Sequence, residues 1–331
     1  MPDTPRTDAL KRGEVPNAAR SVFPGQDRFV ADVDDVELRK VDEFVDDVDP
    51  AGFWKSAWQE IRTKPVFIIS MILLVIILLI VAFPGLFAHQ DPQYANLEDS
   101  LLSPSSAHWF GTDLQGHDIY SRVIYGARDS VLVGILTTLA VVIVGGLLGV
   151  FAGFYGGWLD SVISRLADIF FAIPLILAAV VTMQMVSART VYTVVVVLAI
   201  FSWPQIARIA RSSAISARNE EFVDASRSLG STRLRTLFTH VIPNSLGPVI
   251  VISTISLGVF IVTEATLSYL GIGLPSTAVS WGIDIAAGQQ LLREGQPILF
   301  YPAAALAITV LVFMMLGDVL RDALDPKART R

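Results

Sequence analysis

The sequence predicts an all-α membrane protein with six transmembrane helices. Hydrophobic residues make up 53% of the 331 residues and charged residues only 17%, whereas soluble domains carry roughly 25% charged residues. Six long apolar runs occur along the chain, and each is close to the roughly 20 residues that a helix needs to cross a bilayer. The predicted spans are about 65–87, 130–156, 165–187, 190–210, 244–270 and 297–318.

The chain before the first span is acidic. Residues 1–50 hold 13 acidic and 7 basic residues, which accounts for the whole net charge of −6. Because residues 1–48 are polar and irregular, we interpret them as a disordered acidic cytoplasmic tail. Residues 50–64 predict an amphipathic helix lying in the membrane interface. Its apolar stripe has helical spacing and consists of Phe53, Trp54, Ala57, Trp58 and Ile61.

The distribution of positive charge predicts the orientation in the membrane. Six spans place both chain termini on one side. If that side is the cytoplasm, the inside segments flanking the spans hold 14 Lys and Arg residues and the outside segments hold 4. The positive-inside rule therefore predicts that both termini are cytoplasmic. The six-span domain then covers 65–320, and residues 321–331 form a cytoplasmic C-terminus.

The stretch from Ala265 to Ile283 is uncharged but does not read as a further span. It is rich in Gly, Ser and Pro after Leu270, so we interpret it as the end of the fifth span followed by a loop. A re-entrant segment is the alternative.

Several classes of chemistry lack the residues they need. The chain has no cysteine and no Gly-Lys dipeptide, which excludes a thiolate nucleophile and a phosphate-binding P-loop. It has no HExxH motif. His89, His108 and His117 share one outer loop without a paired carboxylate geometry, so we expect no metal site there. No basic stripe indicates nucleic-acid binding. We therefore predict no catalytic residues on this chain.

Two features within the spans predict packing rather than chemistry. Arg165 and Asp168 are spaced i,i+3 near the inner end of the third span, and we expect them to pair with each other. The pairs Gly145-Gly146 and Gly149-Gly153 in the second span permit close helix packing.

The cytoplasmic segment 211–243 between spans four and five is too long for a simple connector. It reads as short helices broken at Gly230 and ended near Pro243. From Asp224 the sequence runs DASRSLGSTRLRTLFTHVIP. Its small residues allow close helix approach, and the glycine allows a sharp turn. His240 lies in this segment and is interpreted as structural.

This segment resembles the EAA loop of ABC-importer permeases, with Asp224 in place of Glu and Ser226 in place of the second Ala. In that family the helix before the glycine inserts into a groove on a cytoplasmic ATPase. The resemblance implies a coupling helix near residues 220–230, with ATP and Mg held on partner subunits and no cofactor on this chain. Asp224 and Arg227 can pair with each other or with the partner. The implied ATPase-coupling residues are Glu221, Asp224, Ala225, Ser226, Arg227, Leu229 and Gly230.

Other segments narrow the subfamily. They are HWFGTDLQGHDIYSRVIYGAR from His108, GFYGGWLDSVISRLADIFFAIP from Gly153, TEATLSYLGIG from Thr263, SWG from Ser280 and GDVLRDALDP from Gly317. Together they are similar to the C-type permease of dipeptide, oligopeptide and nickel importers over about residues 65–328. Two departures lie in outer loops: His117 replaces the usual Arg, and the Pro-rich turn before SWG is absent.

The resemblance implies a type I ABC-importer permease in the bacterial plasma (inner) membrane that imports short peptides. The implied partners are a B-type permease in a heterodimer, two ATP-binding domains and an extracytoplasmic substrate-binding protein. A mixed polar face of the fifth span is then expected to line the translocation pathway, with interfacial anchoring or interhelix hydrogen bonding as the alternative. Its residues are Ser253, Ser256, Phe260, Thr263 and Glu264.

Three alternative functions remain open from the sequence. The first keeps the architecture but imports nickel or another small solute. The second is a secondary transporter driven by an ion gradient, which predicts inverted repeats, broken helices and buried acids at the midplane; only Glu264 resembles such an acid, and it is off-centre. The third is a membrane-anchored enzyme, which needs an acid/base or metal-binding cluster.

Overall fold

The computed structural model describes residues 21–23, 26–27, 58–59 and 61–324. The chain divides into two compact units, Met1–Ser56 and Ala57–Arg331. In the first unit, strand β1 (Ser21–Phe23) pairs antiparallel with strand β2 (Gln26–Asp27).

The predicted acidic tail over 1–48 lies outside the described residues except for these two strands, and so does most of the predicted interfacial helix over 50–64. Of that helix, the structure describes Trp58, which is exposed and meets the Phe67 ring edge-on at 5.9 Å between centroids. Ile61 is buried against the first and last spans. The described part of this segment therefore packs on the first and last spans through apolar contacts.

The described secondary structure of the second unit is helical. In chain order its α-helices are α1 (Pro65–Ala82), α2 (Pro84–Phe87), α3 (Ile119–Tyr155), α4 (Gly157–Phe171), α5 (Leu175–Met185), α6 (Val191–Arg218), α7 (Glu221–Ser228), α8 (Arg233–Thr236), α9 (Ile242–Tyr269), α10 (Trp281–Leu291) and α11 (Phe300–Leu324). Short 3₁₀ turns cover Leu97–Asp99 and Leu292–Glu294, and a π-helical turn covers Leu237–Val241.

Five helical segments of the described chain are long and apolar enough to cross a membrane, namely α1, α3, α6, the continuous run through α8 and α9, and α11. A sixth crossing results if α4 and α5 together form one broken span. The fold is therefore that of an α-helical membrane protein with five candidate spans in the described chain, or the predicted six if α4 and α5 count as one.

The predicted third span, 165–187, is not one straight helix. Helices α4 and α5 are bent by 82° relative to each other. Pro174 lies between them, lacks a backbone N–H group and disfavours the helical conformation of the residue before it. A proline at this point therefore ends α4 and allows α5 to begin in a new direction, which corrects the continuous span predicted from hydropathy.

Helix α3 begins at Ile119, well before the predicted start of the second span at 130. The Asp118 carboxylate caps it by accepting a hydrogen bond from the Ser121 N–H group at 2.8 Å. At 37 residues and about 1.5 Å per residue, α3 is roughly 55 Å long, which exceeds a hydrocarbon core of roughly 30 Å. Its charged first turns are therefore placed to extend beyond the apolar layer.

The segment 211–243, predicted to be cytoplasmic, does not end its helices near Pro243 as expected from the sequence. Instead α8 runs through the π-helical turn directly into α9, which contains both Pro243 and Pro248. Side chains satisfy carbonyl groups in this region: the Asn244 amide donates to the His240 carbonyl, and the Ser245 hydroxyl donates to the Val241 carbonyl, both at 2.7 Å. The widened turn and these donors let the helix continue through a proline.

Helices α3 and α6 pack backbone against backbone. A Cβ atom at Gly145, Gly149 or Gly153 would lie 2.5, 2.2 or 2.5 Å from a carbonyl oxygen of α6. The three glycines are spaced i, i+4, i+8 and so share one face of α3. The close packing predicted for these three is confirmed, whereas Gly146 has open space around its Cβ position.

Helix α10 was not predicted from the sequence, which favours a helix end followed by a loop over Ala265–Ile283, with a re-entrant segment as the alternative. The loop after α9 is present, but at Ser280 the chain enters a new helix, and the Ser280 hydroxyl accepts from the Ile283 N–H group at 3.4 Å. Gly282 brings α10 onto α9, since a Cβ atom there would lie 2.4 Å from the Ala265 carbonyl oxygen. Helix α10 is too short to count among the spans.

Candidate functional site

The predicted coupling helix is present as α7, a short helix that follows α6 after a two-residue link. It ends in a Schellman motif. The Gly230 N–H group donates to the Arg227 carbonyl at 2.9 Å, and the Ser231 N–H group donates to the Ser226 carbonyl at 3.1 Å. Gly230 has φ +88° with no atom near its Cβ position, so glycine is needed here for backbone conformation and not for space.

Within the part of the chain that the structure describes, helix α7 has one buried side and one exposed side. Val223 is fully buried in the core that α3 and α6 form. On the exposed side, Phe222 is 43% exposed and Leu229 is 89% exposed, and Ala225 lies between them at helical spacing. The other predicted coupling residues are exposed except for Ser226, which is half-buried; they are Glu221, Asp224, Arg227 and Gly230. The sequence thus places a small apolar stripe with flanking charges at the surface.

The described ion pairs do not join Asp224 to Arg227. The Arg227 guanidinium instead lies over the Phe154 ring, 5.5 Å from its centroid, a cation–π geometry. His240 contacts the Phe222 ring, with 5.9 Å between centroids. Helix α7 therefore makes side-chain contacts with both the end of α3 and the turn that leads into α9.

The pair predicted between Arg165 and Asp168 is wrong. Asp168 accepts a hydrogen bond from Arg208 of α6 at 2.9 Å, and both side chains are about half exposed. Arg165 lies exposed on α4. The i,i+3 spacing was compatible with a local pair, but a neighbouring helix supplies the cation.

The predicted pathway residues lie mostly inside the chain's own packing. Ser256, Phe260, Thr263 and Glu264 are buried, and Ser253 is half-buried. The Thr263 hydroxyl donates to the Val259 carbonyl at 2.8 Å within α9. In this single chain their side chains are covered by neighbouring helices, and the pathway assignment stays a prediction.

Glu264 lies at a junction of three helices. Its Oε1 atom accepts a hydrogen bond from the Ser268 hydroxyl at 2.7 Å, and the whole residue is buried. Its Oε2 atom has no hydrogen-bond partner among the described residues, although the Ser130 and Ser280 hydroxyls lie nearby. Ser130 belongs to α3, and Ser280 precedes α10. The carboxyl group is thus placed to hold the start of α10 against α3 and α9.

We expect Glu264→Gln to be tolerated and Glu264→Leu to destabilise the chain. Glutamine keeps an acceptor for Ser268, whereas leucine leaves buried hydroxyl groups without a partner, at about 1–3 kcal/mol per group. The measurement is the thermal stability of the detergent-purified chain. A Glu264→Leu chain as stable as the wild type would contradict the packing role of this residue.

Helix α10 is anchored to α3 by two further contacts. The Trp281 indole N–H donates to the Val123 carbonyl at 2.9 Å, and the Arg122 Nε atom donates to the Asp284 carboxylate at 2.9 Å. Burial raises the pKa of Asp284, and the Arg122 guanidinium opposes this rise. A cavity of about 230 Å³ lies beside this ion pair. Neither anchor was predicted from the sequence, although SWG is one of the motifs that carry the family resemblance.

The three histidines predicted to share an outer loop have specific contacts. His108 Nδ1 lies 3.1 Å from the Asp118 carboxylate, and His117 Nδ1 lies 2.8 Å from that of Asp113. His89 stacks on the Tyr120 ring with 5.2 Å between centroids. Within the described residues no group of three or more His, Cys, Asp or Glu side chains could hold a metal ion.

Comparison with protein families decides the class of this chain. The family described as "Binding-protein-dependent transport system inner membrane component" matches residues 145–330, which is more than half of the chain. This chain belongs to that family. A second family, described as the N-terminal TM domain of oligopeptide transport permease C, matches residues 52–104. The first match contains α7 and the second contains α1, so the two family models together reach both ends of the helical unit.

Curated relatives of this inner membrane component match nearly their full lengths. The oligopeptide transport system permease protein OppC of Bacillus subtilis is 37% identical over 84% of this chain and 91% of the relative. The dipeptide transport system permease protein DppC of Alkalihalophilus pseudofirmus is 36% identical over 84% and 91%. The glutathione transport system permease protein GsiD of Pectobacterium atrosepticum is 34% identical over 84% and 92%. The recognition as a C-type permease of this kind is thereby confirmed.

Among solved structures, one match is to an amino acid ABC transporter with histidines. It is 20% identical, with a TM-score of 0.48, over 60% of this chain and 92% of that chain.

Proposed function

We propose that this chain is one of two permease subunits of an ATP-driven importer of short peptides. Membership in the inner-membrane component family and the names of relatives at 34–37% identity support this assignment. The structural observation that carries it is α7, a helix with an exposed apolar stripe and a left-handed glycine cap on the segment predicted to be cytoplasmic. Such a surface fits a partner protein that binds on the predicted cytoplasmic side and moves the spans.

The expected partners include the ATP-binding domains that this chain does not contain. It has no P-loop sequence, so ATP and Mg are expected on two ATP-binding domains, and α7 is the surface where one of them docks. A B-type permease completes the pathway as a heterodimer, and an extracytoplasmic substrate-binding protein delivers the peptide. Both termini are expected in the cytoplasm of a bacterial cell.

The mechanism that fits is alternating access. Closure of the ATP-binding domains on ATP displaces α7, and the attached spans tilt so that the pathway opens outward. The ATP-binding dimer is then the two-state element whose equilibrium the nucleotide shifts, and α7 transmits that state to the membrane. The proposal assigns no step of bond chemistry to this chain.

Uptake by the reconstituted assembly tests the proposal. The complete complex is placed in liposomes with ATP enclosed at the ATP-binding side, and labelled di- and oligopeptides are offered with the binding protein on the other side. Peptide uptake that stops without ATP is the expected result. Uptake of nickel or another small solute without peptide uptake would instead support the first alternative, the same architecture with a different cargo. Uptake that follows an ion gradient without ATP contradicts the proposal.

We expect Leu229→Glu to detach the ATP-binding subunits. Leu229 is 89% exposed at the end of the apolar stripe. Full burial of a leucine side chain is worth about 1.5–3 kcal/mol and a glutamate there would bury an unpaired charge, so co-purified ATPase should fall roughly tenfold or more. The matched control is Leu97→Glu, a leucine that is 77% exposed on the predicted outer side. Equal ATPase recovery from the two variants would contradict the docking assignment.

A further inference from the structure

The turn between α3 and α4 is held by arginines from two other helices. We call residues Gly153–Asp160 the α3–α4 corner. Gly156 and Gly157 in its middle have φ +66° and +62°, a conformation that L side chains rarely adopt. Two successive glycines leave this backbone intrinsically free to flex, so contacts from outside determine whether the corner is rigid.

The first contact joins α4 to α6. Arg211 binds Asp160 through two parallel hydrogen bonds, from Nε at 2.5 Å and from Nη2 at 2.7 Å. The Asp160 side chain is 22% exposed and that of Arg211 is 37% exposed. A two-point bond between a planar guanidinium and a carboxylate fixes orientation as well as distance. The beginning of α4 therefore cannot rotate on α6 without breaking both bonds.

The second and third contacts reach the end of α3. Arg218, the last residue of α6, donates to the Gly153 carbonyl at 2.7 Å and also reaches the Phe154 carbonyl at 3.4 Å. Arg227 of α7 lies over the ring of Phe154. Carbonyl groups in the last turn of a helix lack helical partners, and a cation at that end is favoured by the helix dipole. The α3–α4 corner is thus bound by two arginines that precede the link to α7, Arg211 and Arg218, and by one that follows it, Arg227.

We propose that Arg211, Arg218 and Arg227 form an arginine clasp that makes α7 and the α3–α4 corner move as one body. The inference rests on the proposed function, because it takes α7 as the ATPase-docking helix. Without the clasp, α7 could move while α4 stayed in place. The two-residue link between α6 and α7 and the two glycines at the junction of α3 and α4 would both permit this movement. With it, a displacement of α7 is delivered to α4 and so to the broken third span.

Distance measurement by electron paramagnetic resonance tests the rigid body directly. The chain has no native cysteine, so spin labels can be placed at Ser161→Cys on α4 and Glu220→Cys before α7, both exposed sites. They are measured in the complete assembly, with partner subunits free of reactive cysteine. A control pair joins Glu220→Cys to Ser276→Cys in the exposed outer loop.

The expected result is a Ser161–Glu220 label distance that is unchanged between the nucleotide-free and ATP-bound states, while the control distance changes. A nucleotide-dependent Ser161–Glu220 distance would overturn the clasp and leave the importer assignment standing. A control distance that does not respond to ATP would contradict the proposed function itself, as well as the clasp that depends on it.

Substitutions supply a second test. We expect Asp160→Asn to lower the ratio of peptide uptake to ATP hydrolysis by about fivefold or more, the low end of typical coupling between sites. The control is Asp168→Asn, which breaks a more exposed, singly bonded α4–α6 pair and should change the ratio less than about twofold. The reversed pair Asp160→Arg with Arg211→Asp should recover the ratio at least partly. An unchanged ratio in Asp160→Asn, or an assembled reversed pair that recovers nothing, would overturn the proposal.

Discussion

Replacing Gly149 by valine should prevent the permease from folding into a stable assembly. A Cβ atom at Gly149 would lie 2.2 Å from the Ala207 carbonyl oxygen of α6, a backbone atom that no side-chain rotation can move away. Overpacking of a core typically costs about 1–3 kcal/mol and occasionally more. We expect the larger cost here, because α3 must shift along a whole row of glycine contacts with α6.

The effect is measured as the yield of monodisperse complex after detergent extraction and its thermal inactivation temperature. Gly146→Val is the matched control: it adds the same side chain three residues earlier in the same helix, where the Cβ position has open space. A Gly149→Val complex as stable as the control would contradict the backbone contact between α3 and α6.

Replacing Gly230 by valine should leave insertion and assembly intact but uncouple ATP hydrolysis from transport. With φ +88°, a residue with a Cβ atom is strained by about 1–2 kcal/mol in the left-handed region. A β-branched residue relieves that strain by leaving this conformation, and the Schellman cap that sets the exit direction of α7 is then lost. The complex should still hydrolyse ATP while importing little peptide.

The control for this variant is Gly295→Val. Gly295 has φ +79° and nothing near its Cβ position, so it carries similar backbone strain outside the coupling segment. The readout is uptake divided by ATP hydrolysis in the same liposomes. Normal uptake by Gly230→Val, or equal loss in both variants, would show that the cap of α7 has no role in coupling.

The apolar helices that could cross a membrane were predictable from local sequence, but the third predicted span is two helices bent by 82°. Spans are recognised by composition alone, because a helix crossing lipid must be apolar over its length. The position of α7 was implied by the resemblance to the EAA loop, and its end by the predicted break at Gly230, since few residues adopt positive φ. The glycine face of α3 was also readable, since spacing i, i+4 places Gly145, Gly149 and Gly153 on one side.

Features that depend on contacts between distant segments were not predictable. The i,i+3 rule offered Arg165 as the partner of Asp168, but only the fold brings Arg208 close enough. Helix α10 was missed because its apolar positions pack against α3 and α9 and leave no clear periodicity. The continuation through Pro243 depends on a π-helical turn, for which the sequence carries no local signal.

The central claim, that this chain is the membrane subunit of an ATP-driven importer, is tested most directly by its companions. The tagged chain is extracted from its native membrane in mild detergent, purified and analysed by mass spectrometry. We expect a second, different permease together with ATP-binding subunits, and a substrate-binding protein when cargo is present. A homogeneous, stable complex without any ATP-binding subunit would contradict the account and would favour a transporter driven by an ion gradient.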